Sequence, residues 1–435
     1  MHVSIFLLTF VTSKSRRPTV AVSAADCTAL SRPQDTETTI YMNRYFTKMT
    51  QWAACAAVWC CMALLPAQAA KILTGDQRTD LYLPLLQGKT VAVFSNHTGL
   101  AGKQHIVDLL LAHKVQVKAI FAPEHGFRGK ADAGEHVDNE VDSQTGLPVI
   151  SLYGGRNKNL ADLVRPYDVL IVDIQDVGLR FYTYYVTMLK LMEACAETGR
   201  TMIIMDRPNP NGFYVDGPIL DMKYKSGVGG LPIPVVHGMT LAELGLMING
   251  EHWLKNGRQC PLTVIPCKNY THQSRYKLPV KPSPNLPNMK SVYLYPSTCY
   301  FEATPVSLGR GTDMPFQVYG HPDMKQFSFR FMPQSVEGAK NPPQLNKWCY
   351  GRDLRHVPDK VIWRNGINLE YLIEAYRAMN IGDGFFRSFM ELLIGVDYVR
   401  KMIEEGRSAQ EIKACWKQDV EQFLVQRRPY LLYDE

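Results

Sequence analysis

The sequence predicts an α/β fold with a doubly wound, mainly parallel sheet and a second, smaller α+β domain. From residue 71 onward, short apolar runs rich in β-branched residues alternate with helical patterns. The run DVLIVDI at residues 168–174 is continuously apolar, as is typical of a parallel strand buried on both faces. After residue 289 the alternation gives way to isolated strand patterns and then to amphipathic helices.

The individual elements follow from local patterns. Strands are predicted at residues 90–95, 117–121, 148–152, 168–174 and 201–205, where apolar runs end in polar or glycine-containing turns. Helices are predicted at residues 103–113, 159–164, 181–198 and 240–249, and Thr240 and Glu243 form a capping box in the last. Beyond residue 289, strands are predicted at 291–295, 327–331 and 348–350, and helices at 369–379, 389–405 and 408–425.

Residues 1–70 are not expected in the folded protein. Residues 1–41 lack periodicity, and Met42 is the expected true start. Basic residues then precede an apolar run at 52–65, and AQA at 67–69 matches a signal-peptidase site. The protein is therefore expected to be exported, to the periplasm or outside the cell, after cleavage near Ala69. An N-terminal anchor is the alternative, and a lipid-modified cysteine is less favoured because no small-residue motif precedes the cysteines of this run.

The remaining chain suggests two domains, 71–288 and 289–435. Its 42 basic and 38 acidic side chains give a net charge of +4 without a basic block, so no nucleic-acid partner is expected. No membrane span and no obligate protein partner are expected either. Six cysteines remain without C-x-x-C spacing. Cys260 and Cys267 are the local pair for a disulfide, and free buried thiols are the alternative.

Polar side chains follow the predicted strands. Right-handed crossovers bring the carboxyl ends of parallel strands to one edge of the sheet, where open α/β sheets bind ligands. FAPEHGFRG at residues 121–129 supplies Glu124, His125 and Arg128 there. The other polar residues near strand ends are Asn96, His97, Asp173, Gln175, Asp176, Arg180, Asp206, Arg207, Asn209 and His237. This mixture of acids, amides, imidazoles and guanidinium groups favours a carbohydrate that carries a carboxylate.

Glu124 is interpreted as a general acid. Pro123 forces a turn before it, and burial would raise the pKa of its carboxyl group towards neutral pH. A structural carboxylate paired with Arg128 is the alternative. Asp173 lies inside an apolar run, so it needs a partner, either a backbone amide or an arginine. Tyr182, Tyr184 and Tyr185 either offer faces for sugar rings or belong to the core of a helix.

Several reaction classes are disfavoured. His97, His125 and His237 lack H-x-H or H-x-x-x-H spacing, so no metal is expected. GRGT at 309–312 lacks the frame of a phosphate loop, and no G-x-G-x-x-G follows the first strand, so no nucleotide cofactor is expected. The absence of G-x-S-x-G disfavours a serine hydrolase.

Eight motifs in order resemble those of the NamZ-like exo-β-N-acetylmuramidases. They are SNHTG (95–99), PEHGFRG (123–129), SLYG (151–154), DVLIVDIQDVGLRFYTY (168–184), MDRPNP (205–210), PIPVVHGMT (232–240), PSPNLP (282–287) and FEATPVSLGRGT (301–312). The resemblance extends from about residue 71 to the C-terminus, with ATP at 303–305 where the family pattern is GTN. It implies a Rossmann-like domain packed on a smaller domain, with the active cleft between them.

The resemblance also implies release of N-acetylmuramic acid from the non-reducing end of peptidoglycan fragments, without metal or nucleotide. Glu124 is the implied catalytic acid, supported by His125, Asp173 and Tyr184. The residues implied to bind the sugar are Asn96, His97, Arg128, Gln175, Asp176, Arg180, Asp206, Arg207, Asn209, His237, Asn285, Glu302 and Arg310. The second catalytic group is either another carboxylate or the acetamido group of the substrate, oriented by a residue such as Asp173.

Two further hypotheses stay open at this point. One is a non-catalytic periplasmic protein that binds muropeptides on the same fold, and the other is a metal-dependent hydrolase that uses the histidines. The acids at the strand ends favour a glycosidase, because a protein that only binds sugar would use amides in preference to ionisable groups.

Overall fold

The computed structural model describes residues 70–123, 127, 140–152 and 159–435. Its strands are β1 (Thr90–Ser95), β2 (Leu100–Ala101), β3 (Gln104–His105), β4 (Gln116–Ala122), β5 (Glu140–Val141), β6 (Pro148–Ser151), β7 (Val169–Asp173), β8 (Thr201–Met205), β9 (Leu262–Ile265), β10 (Val318–His321), β11 (Phe329–Phe331) and β12 (Cys349–Asp353). Its α-helices are α1 (Thr79–Tyr82), α2 (Ile106–Ala112), α3 (Leu160–Val164), α4 (Tyr184–Thr198), α5 (Leu241–Gly250), α6 (Met289–Thr298), α7 (Asp359–Asn365), α8 (Glu370–Met379), α9 (Phe389–Ile394), α10 (Tyr398–Glu404), α11 (Ala409–Ala414) and α12 (Lys417–Arg427).

The large sheet confirms the predicted fold class. Within the described residues its strand order is β5-β6-β4-β1-β7-β8-β9, and all neighbours are parallel except β5 and β6. In the centre, Val93 of β1 lies opposite Ile120 of β4 and Ile171 of β7. A smaller antiparallel sheet, β10-β12-β11, and a set of helices follow residue 289.

Both faces of the large sheet are buried, which explains the continuous apolar character of its central strands. Alternate residues of a strand point to opposite faces. Val91 and Val93 of β1 therefore pack in one cluster, with α2, whereas Ala92 and Phe94 pack in another, with α4. The second cluster continues into the helices that follow residue 289, for example to Leu372 of α8. The sheet and the C-terminal helices thus share one hydrophobic core.

The structure confirms the capping box of α5, in which Thr240 accepts from the N–H of Glu243 and Glu243 accepts from the N–H of Thr240. The prediction of a strand at residues 291–295 is wrong, because these residues lie in α6. Asn288 caps this helix by accepting a hydrogen bond from the N–H of Ser291 at 3.0 Å. The segment is buried all around, and a short apolar run of that kind cannot distinguish a helix from a strand.

Two predicted long helices are each divided in two. Residues 389–405 form α9 and α10, with Gly395 between them at φ 86°, a left-handed conformation that ends α9. Residues 408–425 correspond to α11 and α12. Strands β9 and β10 were not predicted, since neither of their short sequences forms a continuous apolar run.

The six described cysteines are unpaired thiols, and all but Cys415 are buried. Cys267 donates to the carbonyl of Asp206 at 3.3 Å. Cys260 and Cys267 are therefore free thiols and do not form the disulfide that was considered for them. Among the residues that the structure covers, no helix is both long and apolar enough to cross a membrane.

Candidate functional site

Hydrogen bonds join three strand ends at the carboxyl edge of the large sheet. Thr98, which follows β1, accepts from the backbone N–H of Gln175 at 2.9 Å, just after β7. The side-chain amide of Gln175 donates to the carbonyl of Pro208, after β8, at 2.9 Å. The polar residues predicted at these three ends are therefore close together, and most of them are buried.

Asn96 is completely buried and orients Tyr184. Its Oδ1 accepts hydrogen bonds from the N–H of Thr98 at 3.0 Å and from the Thr98 hydroxyl at 2.6 Å. These two bonds fix the amide, so Nδ2 donates to the Tyr184 hydroxyl at 2.9 Å. Asn96 therefore contacts the cavity residue Tyr184 and is not itself among the lining residues.

A cavity of roughly 690 Å³, including its open mouth, lies beside Tyr184. Its lining residues are Phe181, Tyr182, Thr183, Tyr184, Val228, Ser283, Asn285, Leu286, Tyr295, Glu302, Arg310 and Phe316. Four predicted site residues thus meet here, namely Tyr184, Asn285, Glu302 and Arg310. Aromatic rings combined with a few polar groups suit a ring-shaped polar ligand that also has apolar faces.

Arg310 and Glu302 form an ion pair in this cavity, with 2.6 Å between Nη2 and Oε1. The side chains are 20% and 25% exposed, so both remain accessible. The guanidinium also lies over the Phe316 ring, 5.1 Å from its centre. Burial lowers the pKa of Arg310, but the charge and the hydrogen bond of Glu302, with smaller effects of Tyr295 and Cys299, together raise it above its usual value. The cavity therefore holds a permanent positive charge beside an acid.

One wall of the cavity is residues 281–288, called here the proline loop. The carbonyl of Pro282 accepts from the Tyr182 hydroxyl at 2.8 Å, and the Asn285 amide donates to the carbonyl of Gly338 at 2.8 Å. His97 donates from Nε2 to the carbonyl of Lys281 at 2.8 Å. His97 and Asn285 therefore hold this wall in place.

The predicted tyrosines divide between cavity and core. Tyr182 and Tyr184 line the cavity and pack edge to face, with 4.7 Å between their ring centres. Tyr185 points into the core, where its hydroxyl accepts from the N–H of Gly230 at 2.9 Å. Tyr185 therefore belongs to the core, whereas Tyr182 and Tyr184 lie where a ligand in the cavity could contact them.

Asp173 has the arginine partner that its position in a buried strand requires. Its Oδ1 accepts from Nε of Arg207 at 2.6 Å, and Nη2 of the same guanidinium lies 2.5 Å from Oδ2 of Asp76. All three side chains are at most 2% exposed. Burial raises the pKa of Asp173, and it raises that of Asp76 to about 7, although Arg207 opposes both shifts. Asp173 and Arg207 are engaged with each other and do not line the cavity.

Asp176 is a buried carboxyl group at the end of the same strand. Its Oδ1 accepts from the N–H of Gly178 at 2.7 Å. Oδ2 is buried and has no hydrogen-bond partner among the described residues. Burial raises the pKa of Asp176 to about 7, and the backbone bonds only partly oppose this effect.

This shift predicts an unusual pH dependence of stability. Because the pKa of Asp176 rises from 3.8 to about 7 on folding, the folded protein holds the extra proton between these values. The contribution of this group to stability is complete below pH 4 and is lost as the pH rises through 7. Asp176→Asn should therefore flatten the decline in the free energy of unfolding between pH 4 and 7, by up to about 1.4 kcal/mol per pH unit. Urea unfolding at four pH values measures this slope. Asp80→Asn, at an exposed position, is the control, and an unchanged slope in Asp176→Asn would refute the assignment.

Asp206 binds the C-terminal tail. Its Oδ2 accepts from the Tyr433 hydroxyl at 2.5 Å, and its Oδ1 accepts from the N–H of Ala242 at 3.1 Å. Nearby, Oε1 of Glu243 accepts from the N–H of Leu432 at 2.8 Å and pairs with Nε2 of His272 at 3.0 Å. Burial, followed by the charge of Glu243, raises the pKa of Asp206 to about 7. These contacts give Asp206 a structural role.

Arg180 is completely buried away from the cavity lining. Its Nη1 donates to the carbonyls of Pro218 and Ile233 at 2.7 and 2.8 Å. Its Nη2 donates to those of Leu393 and Ile394 at 3.2 and 2.6 Å. The guanidinium thus joins the segments before α5 to the end of α9. These four hydrogen bonds explain the buried position of Arg180 without a bound ligand.

His237 and Asn209 are also interior residues. Burial and the charges of Arg427 and Arg180 lower the pKa of His237 to about 3, so its imidazole is neutral. Asn209 donates to the carbonyl of Met239 at 2.9 Å and contacts Gly178. Neither residue lines the cavity.

Glu124, His125 and Arg128 lie outside the described residues. Pro123, directly before Glu124, is buried after the last residue of β4. Within the described ranges, no group of three His, Cys, Asp or Glu side chains is arranged to hold a metal ion.

Several residues at these sites were not predicted. The contact of Asp76 with Arg207 could not be predicted from the sequence. Asp76 precedes the first strand, and the two residues are 131 positions apart. Ser283 could have been predicted as a lining residue, because it lies between two prolines of the motif PSPNLP. Tyr295 was assigned to a strand, and Phe316 lies in a segment without a pattern, so neither was expected to line the cavity.

Family models match almost all of the described chain. The N-terminal model of the exo-β-N-acetylmuramidase NamZ matches residues 91–290, and the C-terminal model matches residues 293–433. The peptidoglycan β-N-acetylmuramidase NamZ of Bacillus subtilis is 34% identical over an alignment of 394 residues. The match covers 84% of this chain and 92% of that protein.

Two crystal structures of DUF1343 family proteins from Bacteroides fragilis have the same fold. One is 61% identical, with a TM-score of 0.79, and the match covers 84% of this chain and 100% of that one. The other is 27% identical, with a TM-score of 0.71 and coverage of 83% and 99%.

Proposed function

Because the chain belongs to the exo-β-N-acetylmuramidase NamZ family, we propose that it releases N-acetylmuramic acid from the non-reducing end of peptidoglycan fragments. The observation that carries this proposal is the cavity in which an accessible guanidinium, Arg310, stands among aromatic rings. An exo-acting enzyme needs a site for one terminal sugar, and this small cavity combines aromatic and polar lining residues in the way that small-molecule sites do.

The cavity supports binding of one acidic sugar. Tyr182 would contact an apolar face of a pyranose, and Asn285 and Ser283 offer polar atoms to its hydroxyl and acetamido groups. Lining residues come from both sides of residue 289, which supports an active cleft between the two family segments.

Arg310 is the arginine that would bind the lactyl carboxylate. Its planar guanidinium can form two parallel hydrogen bonds with a carboxylate. Two other arginines implied to bind the sugar are occupied, since Arg207 is buried between Asp76 and Asp173 and Arg180 is bound to four carbonyls. Among the described residues, Arg310 has only Glu302 as an acidic partner, and it is accessible from the cavity.

Glu124 would protonate the leaving oxygen of the glycosidic bond. The proposal is based on its place in the motif PEHG, which follows the carboxyl end of β4, with His125 next to it in sequence. Tyr184, oriented by Asn96, would hold the sugar in the cavity. For the second group, Glu302 is the acidic residue among the described lining residues, and the acetamido group of the substrate is the alternative. Asp173 is engaged by Arg207 and would support the sheet edge from the interior.

We also propose that the enzyme is exported after cleavage near Ala69 and acts in the periplasm or outside the cell. The support is the basic segment, apolar run and AQA site at residues 42–69. Peptidoglycan fragments are present in that compartment.

The experiment uses a peptide-free tetrasaccharide with muramic acid at its non-reducing end, reduced at the other end. An exo-acting muramidase should release free N-acetylmuramic acid and a trisaccharide that keeps the reduced end. An endo-acting muramidase should instead cleave the internal muramyl bond and release the reduced terminal N-acetylglucosamine and a trisaccharide with muramic acid at both ends. A chromogenic β-N-acetylmuramide should be turned over, and the matching N-acetylglucosaminide should not. A folded protein that binds the tetrasaccharide without product at any pH would be a binding protein and would contradict the proposal.

Arg310→Gln tests the recognition of the carboxylate. We expect KM for the chromogenic muramide to rise about 10- to 100-fold, the value of one charge-assisted contact. The control is Arg330→Gln, because Arg330 is exposed and stacks on Trp348, outside the cavity lining. An unchanged KM in Arg310→Gln would show that another group binds the lactyl carboxylate.

A further inference from the structure

A second concave surface lies on the other side of the proline loop. We call it the prolyl groove. Its volume is roughly 320 Å³, and it is lined mainly by apolar side chains, among them Leu278, Pro282 and Val292. Leu286 lines both this groove and the sugar cavity, so the two share one wall. Apart from Leu286 and the backbone carbonyls of Lys281 and Pro282, the groove has no part in the function proposed above.

Two lysines give the groove a positive charge. Lys277 and Lys281 both line it and are exposed. In the part of the chain that the structure describes, neither forms an ion pair with a carboxylate. Lys290, a short distance along the chain, does pair with Asp359. The groove thus combines an apolar floor with two cations available to an acidic ligand.

The shared wall is fixed in position. The carbonyl of Pro282 accepts from Tyr182, and the carbonyl of Lys281 accepts from His97, each at 2.8 Å. Asn285 donates to the carbonyl of Gly338 on the cavity side. A rigid wall keeps the groove at a constant place beside the cavity, so little conformational entropy is lost when one ligand occupies both.

We propose that the prolyl groove binds the glycan strand beyond the cleaved bond, with Lys277 and Lys281 holding the lactyl carboxylate of the next muramic acid. This inference rests on the proposed function. Muramic acid alternates with N-acetylglucosamine in peptidoglycan glycans. A strand with its terminal muramic acid in the cavity therefore carries its next carboxylate on the third sugar. The lysines match that charge, and the prolines match the apolar faces of the sugar rings.

The test compares kcat/KM on three peptide-free substrates. They are the disaccharide, the tetrasaccharide, and a tetrasaccharide whose internal lactyl carboxylate is methyl-esterified. We expect the wild-type protein to prefer the tetrasaccharide over the disaccharide by about two- to tenfold, the range of two exposed ion pairs. The ester and the double variant Lys277→Gln/Lys281→Gln should each remove most of this preference. The double variant should still hydrolyse the disaccharide at the wild-type rate.

Lys325→Gln is the matched control, because Lys325 is exposed and does not line the groove. The inference fails if the wild-type protein shows no preference, or if the double variant keeps it in full. It also fails if the lysines matter only for substrates that carry peptides, since the groove would then hold a peptide. Hydrolysis of the disaccharide without a lysine effect would leave the proposed function intact. No hydrolysis of any substrate would contradict both.

Discussion

Glu124→Gln is expected to lower kcat on the muramic-acid disaccharide by about 10²- to 10⁴-fold. Glutamine keeps the size of the side chain and can still donate a hydrogen bond, but it has no proton to give to the leaving oxygen. The loss should be much smaller for an aryl muramide with an acidic leaving group, because a phenolate departs without protonation. A general acid is thus distinguished from a group that attacks the sugar, since loss of a nucleophile would impair both substrates.

Stability measurements must accompany this comparison. The urea midpoint of Glu124→Gln should equal that of the wild-type protein, and Glu140→Gln, at an exposed position in β5, serves as the control. Equal loss on both substrates would remove Glu124 from the role of proton donor. Full activity on the disaccharide would remove it from catalysis altogether.

Arg207→Met is expected to lower the free energy of unfolding at pH 7.5 by about 3–5 kcal/mol. The substitution leaves Asp76 and Asp173 buried at the sheet edge without the cation that contacts both. Their pKa values are already raised by burial, and loss of the guanidinium should raise them further. Both carboxyl groups can then become neutral by taking up protons, so the deficit should shrink as the pH falls towards 5.

Urea unfolding at pH 7.5 and at pH 5 measures this difference. Adding Asp76→Asn to Arg207→Met should recover part of the loss at pH 7.5, because one buried charge is removed. Arg330→Met, at an exposed arginine, controls for the loss of a positive charge. A deficit of the same size at both pH values would mean that packing, and not the unpaired charges, stabilises this region.

Much of the fold could be predicted because burial on both faces of a parallel sheet leaves a direct mark on the sequence. Strands at 90–95 and 201–205 have the predicted bounds. The errors in element type or length occur where a segment is buried on all sides, or where the backbone conformation of a single residue ends a helix. Residues 291–295 belong to a helix and are buried on all sides. Gly395, in a left-handed conformation, divides a sequence pattern that otherwise predicts one helix.

The candidate site was harder to predict, because residue type at a strand end does not reveal which partner occupies it. Asp173, Arg207 and Asp206 were expected to face a ligand, yet each is engaged by residues distant in sequence, such as Asp76 and Tyr433. Arg310, in contrast, keeps an accessible face. Distinguishing these outcomes requires the tertiary contacts themselves.

The attachment of the C-terminal tail has a consequence for the order in which the molecule is completed. Asp206 and Glu243 belong to the sheet domain, but two of their hydrogen bonds come from Tyr433 and Leu432. A ribosome makes those residues after β9, the last described strand of the large sheet. During synthesis the two acids therefore still lack these partners when that strand has been made, and this part of the interior stays incomplete until the chain has been extended through Tyr433.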